Sequence, residues 1–176
     1  IPGDWIHYNL GMGYLLRREY QEAAGEFEIA RRLNWNNISA HWRLGQTLEQ
    51  TGAPDDALAA YSVACDLDRT HAGVRHAIGR ALLERIRARG SDRQQQAPAA
   101  RERDLEQAIR HLKDAATLAP NQADYFFDLA TAYHTAHRAK EALIAIQGAL
   151  LINPDNAEYK VFLASLQQQL SDPSGV

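Results

Sequence analysis

The sequence predicts an all-α fold built from repeated helix pairs, and two observations carry that prediction. Leu10-Gly11 is followed 34 residues later by Leu44-Gly45, and 34 later again by Ile78-Gly79. Leu129-Ala130 comes 51 residues after that, which is 34 plus an insertion of 17. A fixed period in the range of ~20–50 residues marks stacked repeats. Each period also divides into two stretches with apolar residues at helical spacing. In the clearest copy they are parted by Thr51-Gly52-Ala53-Pro54, a run that interrupts a helix.

Taken in order, the first repeat covers 4–37. Asp4 is placed to cap its first helix, which carries Leu10, Gly11 and Tyr14; the second carries Ala23, Phe27 and Ala30. Gly11 and Ala23 let two backbones approach, and Leu10, Tyr14 and Phe27 fill the space between layers. The second repeat, 38–71, places Pro54 at the first position of its second helix, where the missing N–H costs nothing. The third, 72–122, holds the insertion. Structureless loops beyond ~12–15 residues are uncommon in compact domains, so both of its helices are expected to extend, the first to about Gly90 and the second from about Pro98. The fourth, 123–156, returns to the plain pattern with Leu129, Ala130, Tyr133, Ala142, Ile146 and Ala149. A last helix, 157–170, has no partner after it, and Gln167-Gln168-Gln169 give it the polar outer part of a terminal cap. The repeats are read as one domain spanning 1–176.

Period and residue types together resemble the tetratricopeptide repeat, whose pattern runs Trp-x2-Leu-Gly-x2-Tyr, then Ala-x3-Phe, then Pro. Leu44, Gly45, Ala57 and Tyr61 carry the resemblance, which covers nearly the whole chain. Trp35 and Arg69 stand where the family usually closes with proline. The resemblance implies a right-handed α-solenoid that binds a protein or peptide along the concave face lined by the first helices. Carried over position by position, it assigns to that face Trp5, Tyr8, Asn9 and Met12, then Trp42, Arg43 and Gln46, then His76 and Arg80, then Phe127, Asp128 and Thr131. Val161, Phe162 and Ser165 follow on the last helix. Tyr8, Trp42, His76 and Phe127 share one repeat position, and recurring exposed aromatics supply contact area at low entropic cost. Arg43 and Arg80 suit carboxylates of a ligand; Asn9 and Gln46 suit its backbone. The competing reading is that these aromatics lean on neighbouring helices and complete the core. Family members that hold the acidic tail of heat-shock chaperones use Lys and Asn where this chain has Tyr8 and Met12, so that activity is not expected.

Charge and composition narrow the rest. A net charge of −3 supplies no overall basic field for nucleic acid or an anionic membrane. From Arg69 to Lys113, however, 11 basic and 5 acidic residues give +6, leaving −9 elsewhere. Arg85, Arg87, Arg89, Arg93, Arg101 and Arg103 form a basic insertion, read as a partner-contacting projection. Interrupting acids and the lack of aromatics between them argue against nucleic acid. The first helix, with Trp5, Ile6, Tyr8, Leu10, Met12, Leu15 and Leu16, is apolar nearly all round, so a covering domain or self-association is expected there. A scaffold or oligomerisation segment is therefore the alternative function.

No enzyme chemistry is expected. Cys65 follows Ala64 on a helix with no local charge to activate a thiol, and as a single cysteine it forms no internal disulfide. His134-x-x-His137 has no third ligand at metal spacing. Gly11-Met12-Gly13 lacks the Lys-Ser/Thr of a phosphate loop. Neither a metal nor another cofactor is expected. No apolar run approaches the ~20 residues of a membrane-spanning helix. Alanine-, arginine- and glutamine-rich helices suggest a bacterial source without fixing a compartment, and Ile1 in place of Met leaves the chain readable as a piece of a longer protein.

Overall fold

A computed structural model describes residues 2–90 and 98–171. Among them are nine α-helices and no strand: α1 Gly3–Leu16, α2 Tyr20–Leu33, α3 Ile38–Gln50, α4 Pro54–Leu67, α5 Ala72–Gly90, α6 Pro98–Leu118, α7 Ala123–Thr135, α8 Ala139–Ile152 and α9 Ala157–Ser171. These are four helix pairs and a terminal helix, the third pair being the long one. Helices α5 and α6 end and begin at Gly90 and Pro98, the residues that the sequence marks. The chain forms two compact units, Ile1–Ala81 and Leu82–Val176, whose boundary falls inside α5.

In the first unit α1 packs on α2, α2 on α3, and α3 on α4. Two rings set the spacing within the pairs. Phe27 and Tyr61 are fully buried, each worth about 1.5–3 kcal/mol of transferred surface. A Cβ on Gly11 would lie 2.7 Å from Phe27 Cε1, and one on Gly45 2.5 Å from Tyr61 Cδ1. The rings thus rest on the backbone of the partner helix, at positions where no side chain fits. Ala23, Phe27, Leu44 and Ala60 then form one core cluster drawn from α2, α3 and α4. That cluster explains why Leu44 is buried while Leu10, its counterpart, is 47% exposed. Leu44 is covered by α2, and no helix among the described residues stands before α1 to cover Leu10. The expectation that Leu10 fills an interlayer space is thereby corrected.

The second unit repeats the scheme with α6 on α7, α7 on α8 and α8 on α9. Its core joins Ile86, Leu105, Ile109, Leu112, Leu129, Ile146, Tyr159 and Leu166. Here Ala130 and Ile146, both fully buried in that cluster, stand in the register of Gly45 and Tyr61. A larger residue on the first helix is matched by a smaller one on the second. Where α5 and α6 lengthen, Arg85 Nη2 reaches Asp104 Oδ1 at 2.6 Å, with both side chains mostly shielded, so the pair fastens the base of the projection.

Turns and caps follow simple chemistry. Backbone φ is positive at Arg18 (61°), Gly52 (77°) and His137 (56°), the same register in three repeats. Each turn closes through the two hydrogen bonds of a Schellman motif, for example Glu19 N to Tyr14 O at 3.0 Å and Arg18 N to Leu15 O at 3.0 Å. Only Gly52 is the residue type such a turn favours. Asp4 does not cap α1, which starts one residue earlier behind Pro2. Its carboxylate instead accepts from the side-chain amides of Asn34 (2.9 Å) and Asn37 (3.2 Å) and so ties the start of α1 to the α2–α3 turn. Asn37 caps α3 through Ala40 N at 3.0 Å. Pro54 opens α4 as expected.

His41 is fully buried in α3. Its Nε2–H donates to the Trp35 carbonyl at 2.9 Å, and its ring meets Trp35 edge-on at 4.9 Å. Burial pushes the imidazole below its usual range, against the pull of that carbonyl.

Two outcomes are expected. Gly45→Ala should lose about 1–3 kcal/mol by overpacking against Tyr61, measured by urea denaturation. Gly25→Ala on the open face of α2, where a Cβ meets nothing within 4 Å, should instead gain up to ~1 kcal/mol from helix propensity. For His41 the sign is set by its folded pKa lying below the unfolded value of about 6.5. The unfolded chain takes the proton first, so stability falls as pH drops below about 6.5. His41→Gln should make stability shallower in pH between about 7 and 5.5. The carboxylates held low by hydrogen bonds, Asp4, Asp68 and Glu141, lose their contribution only below about pH 5 and leave that window clear.

Candidate functional site

The first helices carry the residues assigned to a partner face, and each unit is taken separately. In the first unit Tyr8 is half-buried and tilts against Phe27, ring centroids 5.7 Å apart. Met12 packs at the edge of the same cluster. Trp5 is 56% exposed, and Asn9 turns back to the Trp5 carbonyl at 2.7 Å. On α3, Trp42 meets His71 edge-on at 4.8 Å, Arg43 lies over the Trp42 ring at 5.0 Å, and Arg43 Nη1 donates to Gln46 Oε1 at 2.9 Å. Trp42 Nε1 and Arg43 Nε are buried donors with no acceptor among the described residues. His76 is half-buried and Arg80 exposed. Tyr8 and Trp42 therefore do part of the packing that the competing reading gave them, with Trp42, Arg43 and Gln46 held as a pre-formed cluster. A depression of about 510 Å³ opens on the other side of this unit, between α2, α3 and α4, with Leu44 and Leu48 on its floor and Gln21, Glu28, Arg31 and Asp56 around it. Repeat positions did not point to it; the small Ala24, Gly25, Ala59 and Ala60 that line it are the available signal.

In the second unit α7 and α9 face each other through aromatics. Phe127 stacks on Tyr159 at 4.8 Å with 28° between the ring planes and meets Phe162 edge-on at 5.6 Å. His134 closes on Phe162 at 5.6 Å and hydrogen-bonds Gln169 Oε1 at 3.2 Å. Thr131 donates to the Phe127 carbonyl at 3.1 Å. These rings leave an open depression of about 390 Å³ lined by Phe127, Ala157, Glu158, Val161, Phe162 and Ser165. Val161 is 70% exposed within it. Asp124 Oδ1 accepts the Tyr159 hydroxyl at 2.5 Å. Burial and then that carboxylate push the phenol well above its ordinary range, with Glu158 and Asp128 adding to the effect. Tyr159 was missed from sequence because its partner stands 35 residues away on another repeat. Asp128, assigned to the face, is half-buried on α7.

The arginines of the projection are largely engaged at home. Arg85 pairs with Asp104 and Arg87 with Glu84, and Arg103 Nε donates to the Ala99 carbonyl at 3.2 Å. Arg101 is exposed. Arg93 and the Arg89 side chain lie outside what the structure describes. On α1 only Gly11 is buried, while Trp5, Ile6, Leu10 and Leu16 are exposed at 44–85%. Among the described residues no three His, Cys, Asp or Glu side chains are grouped to hold a metal ion, and no helix is long and apolar enough to cross a membrane.

Models of the tetratricopeptide repeat match residues 8–72 and 99–170. No curated protein matches the chain. Among solved structures it is similar to MamA from Desulfovibrio magneticus RS-1, with 18% identity, a TM-score of 0.82, and 97% of this chain and 86% of that one covered. Pseudomonas aeruginosa PilF is 21% identical, with a TM-score of 0.76 and coverage of 96% and 69%. YrrB, described as a tetratricopeptide protein with an unusual peptide-binding site, is 22% identical, with a TM-score of 0.71 and coverage of 92% and 73%. At these identities the likeness is one of fold.

Proposed function

Because the chain belongs to the tetratricopeptide-repeat family, a fold that generally serves protein–protein interaction, we propose that it binds a segment of a partner protein on the face of its first helices. The observation that carries this is the α7–α9 depression. Its aromatic walls are already packed, yet Val161 stays 70% exposed at the opening, so the site is formed before a partner arrives and little ordering entropy is lost on binding. The Trp42–Arg43–Gln46 cluster supports the reading in the first unit, where a guanidinium held on an indole resembles the anchors that dominate interfaces. YrrB's peptide-binding site shows that a protein of similar fold binds peptides.

A second reading rests on α1. Its exposed Trp5, Ile6, Leu10 and Leu16 are apolar side chains of the kind that interfaces cover, here suited to another helix, as a scaffold segment would use.

Selection from a displayed random peptide library tests the first reading, with affinities then measured by fluorescence anisotropy. Val161→Glu is expected to weaken the selected peptides by tenfold or more, about 1.4 kcal/mol, while leaving circular dichroism unchanged. Peptides that bind Val161→Glu and Trp42→Ala as well as the parent chain would contradict it. If they fail instead on Leu10→Glu, the α1 reading takes its place.

A further inference from the structure

Three places recur on the first helices at spacing i, i+4 and i+7, which puts them on one side of a helix. On α3 they are Ala40, Leu44 and Thr47, and on α5 Val74, Ile78 and Ala81, none more than 5% exposed. Leu129 and Ala132 on α7, and Tyr159 and Leu166 on α9, are buried at the same places. Helix α2 packs on α3, α6 on α7 and α8 on α9, and Leu44 shares its core cluster with Ala23 and Phe27 of α2. This is the side on which a first helix receives the helix before it. On α1, 34 residues ahead of those on α3, the three places are Ile6, Leu10 and Gly13. Ile6 is 44% and Leu10 47% exposed, and Gly13 is exposed too. The side that elsewhere takes a helix is thus uncovered among the described residues.

Three features fit that side to its own copy. Between Asp4 and Arg17 the helix carries no Asp, Glu, Lys or Arg, and His7 is turned to Glu26 of α2 at 2.6 Å, so two copies meet there without opposed like charges. Ile6 lies four residues before Leu10 and Gly13 three after it, so reversing the helix end for end sets a large side chain against a missing one. A Cβ on Gly13 would meet nothing within 4 Å. Packing among the described residues does not call for glycine at that place, and a glycine in mid-helix lowers stability relative to alanine. Trp5 and Leu16, both exposed, stand about three turns apart on one flank of this seam, where the same reversal lays each against the other.

We propose that α1 pairs with α1 of a second copy of this chain, antiparallel about a two-fold axis at Leu10, with Ile6 of each copy in the space left by Gly13 of the other. The inference rests on the reading of α1 as an interface and names what covers it. Trp5, Ile6, Leu10 and Leu16 present roughly 450 Å² per copy, or about 1,000 Å² in the pair once Asn9 and Gly13 are counted, near the smallest area of a specific interface. A reversible dimer with a dissociation constant on the order of 1–100 µM follows.

The test is sedimentation velocity of the full chain from about 1 µM to about 1 mM, the weak end of specific association. The parent should pass from monomer to dimer within that range. Leu10→Glu and Leu10→Lys, both at an exposed position and checked for folding by circular dichroism, should each weaken the dimer by about tenfold or more, because the two-fold sets each new charge against itself. An equimolar mixture of the two should dimerise again. Gly13→Leu, which fills the space opposite Ile6, should weaken the dimer as well. A dimer indifferent to these substitutions overturns the proposal, and so does one lost in both Leu10 variants but not restored by mixing them. A parent that stays monomeric throughout overturns the second copy as occupant. If selected peptides nevertheless fail on Leu10→Glu, the reading of α1 as an interface still stands, with another protein as its partner; if they are indifferent to Leu10→Glu, both fall.

Discussion

Contact between a ring on the second helix and a bare backbone on the first, in both pairs of the first unit, is the constraint from which the other features follow. Phe27 sits on Gly11 and Tyr61 on Gly45 so closely that a methyl group has no room. The distance between paired helices is therefore set by half the thickness of an aromatic ring rather than by interdigitated side chains. With that seam filled by Gly, Ala and one ring, the larger residues of the first helix are directed to its remaining sides. Leu44 is taken up by the preceding second helix. Trp42, Arg43 and Gln46 are not, and they gather on the opposite side. The second unit reaches the same result by exchange, with Ala130 opposite Ile146 keeping the summed volume similar.

Packing and binding are consequently not alternatives for the aromatics of the first helices. Phe127 is stacked by Tyr159 and edged by Phe162, which makes it a core residue from one side and the wall of an open depression from the other. A wall held this way loses little freedom when a ligand arrives, and rigid aromatic surfaces of this kind suit recognition. Nor is the basic insertion simply a cationic surface. Arg85 is spent on Asp104 and Arg87 on Glu84, which brings part of the positive charge seen in the sequence back into the fold.

Much of this was legible beforehand, because tetratricopeptide register is written in residues 34 apart and requires no knowledge of distant contacts. Leu-Gly recurrence located the helix pairs, and Gly90 and Pro98 located the ends of the long third pair. What escaped the sequence depends on partners far along the chain or on their absence. Tyr159 gains its role from Asp124 and Phe127 on another repeat. Asp4 looks like a cap because aspartate favours that position, yet Asn34 and Asn37 compete for its carboxylate and win. Leu10 carries the residue type of a buried position and is exposed because nothing described precedes α1. Arg18 and His137 occupy the left-handed turn position that Gly52 fills in between; composition alone would not have placed a positive φ on them.

If the side chains that each helix buries beyond the seam grade stability along the chain, the amides should report it. Native-state hydrogen exchange read by mass spectrometry is the most direct measurement. Slowest exchange is expected in α3, α4 and α8, which bury side chains on the seam and beyond it. Earlier opening is expected in α1, which buries only Gly11, and in α9, which buries Tyr159 and Leu166. Protection of α1 equal to that of α3 would contradict the account.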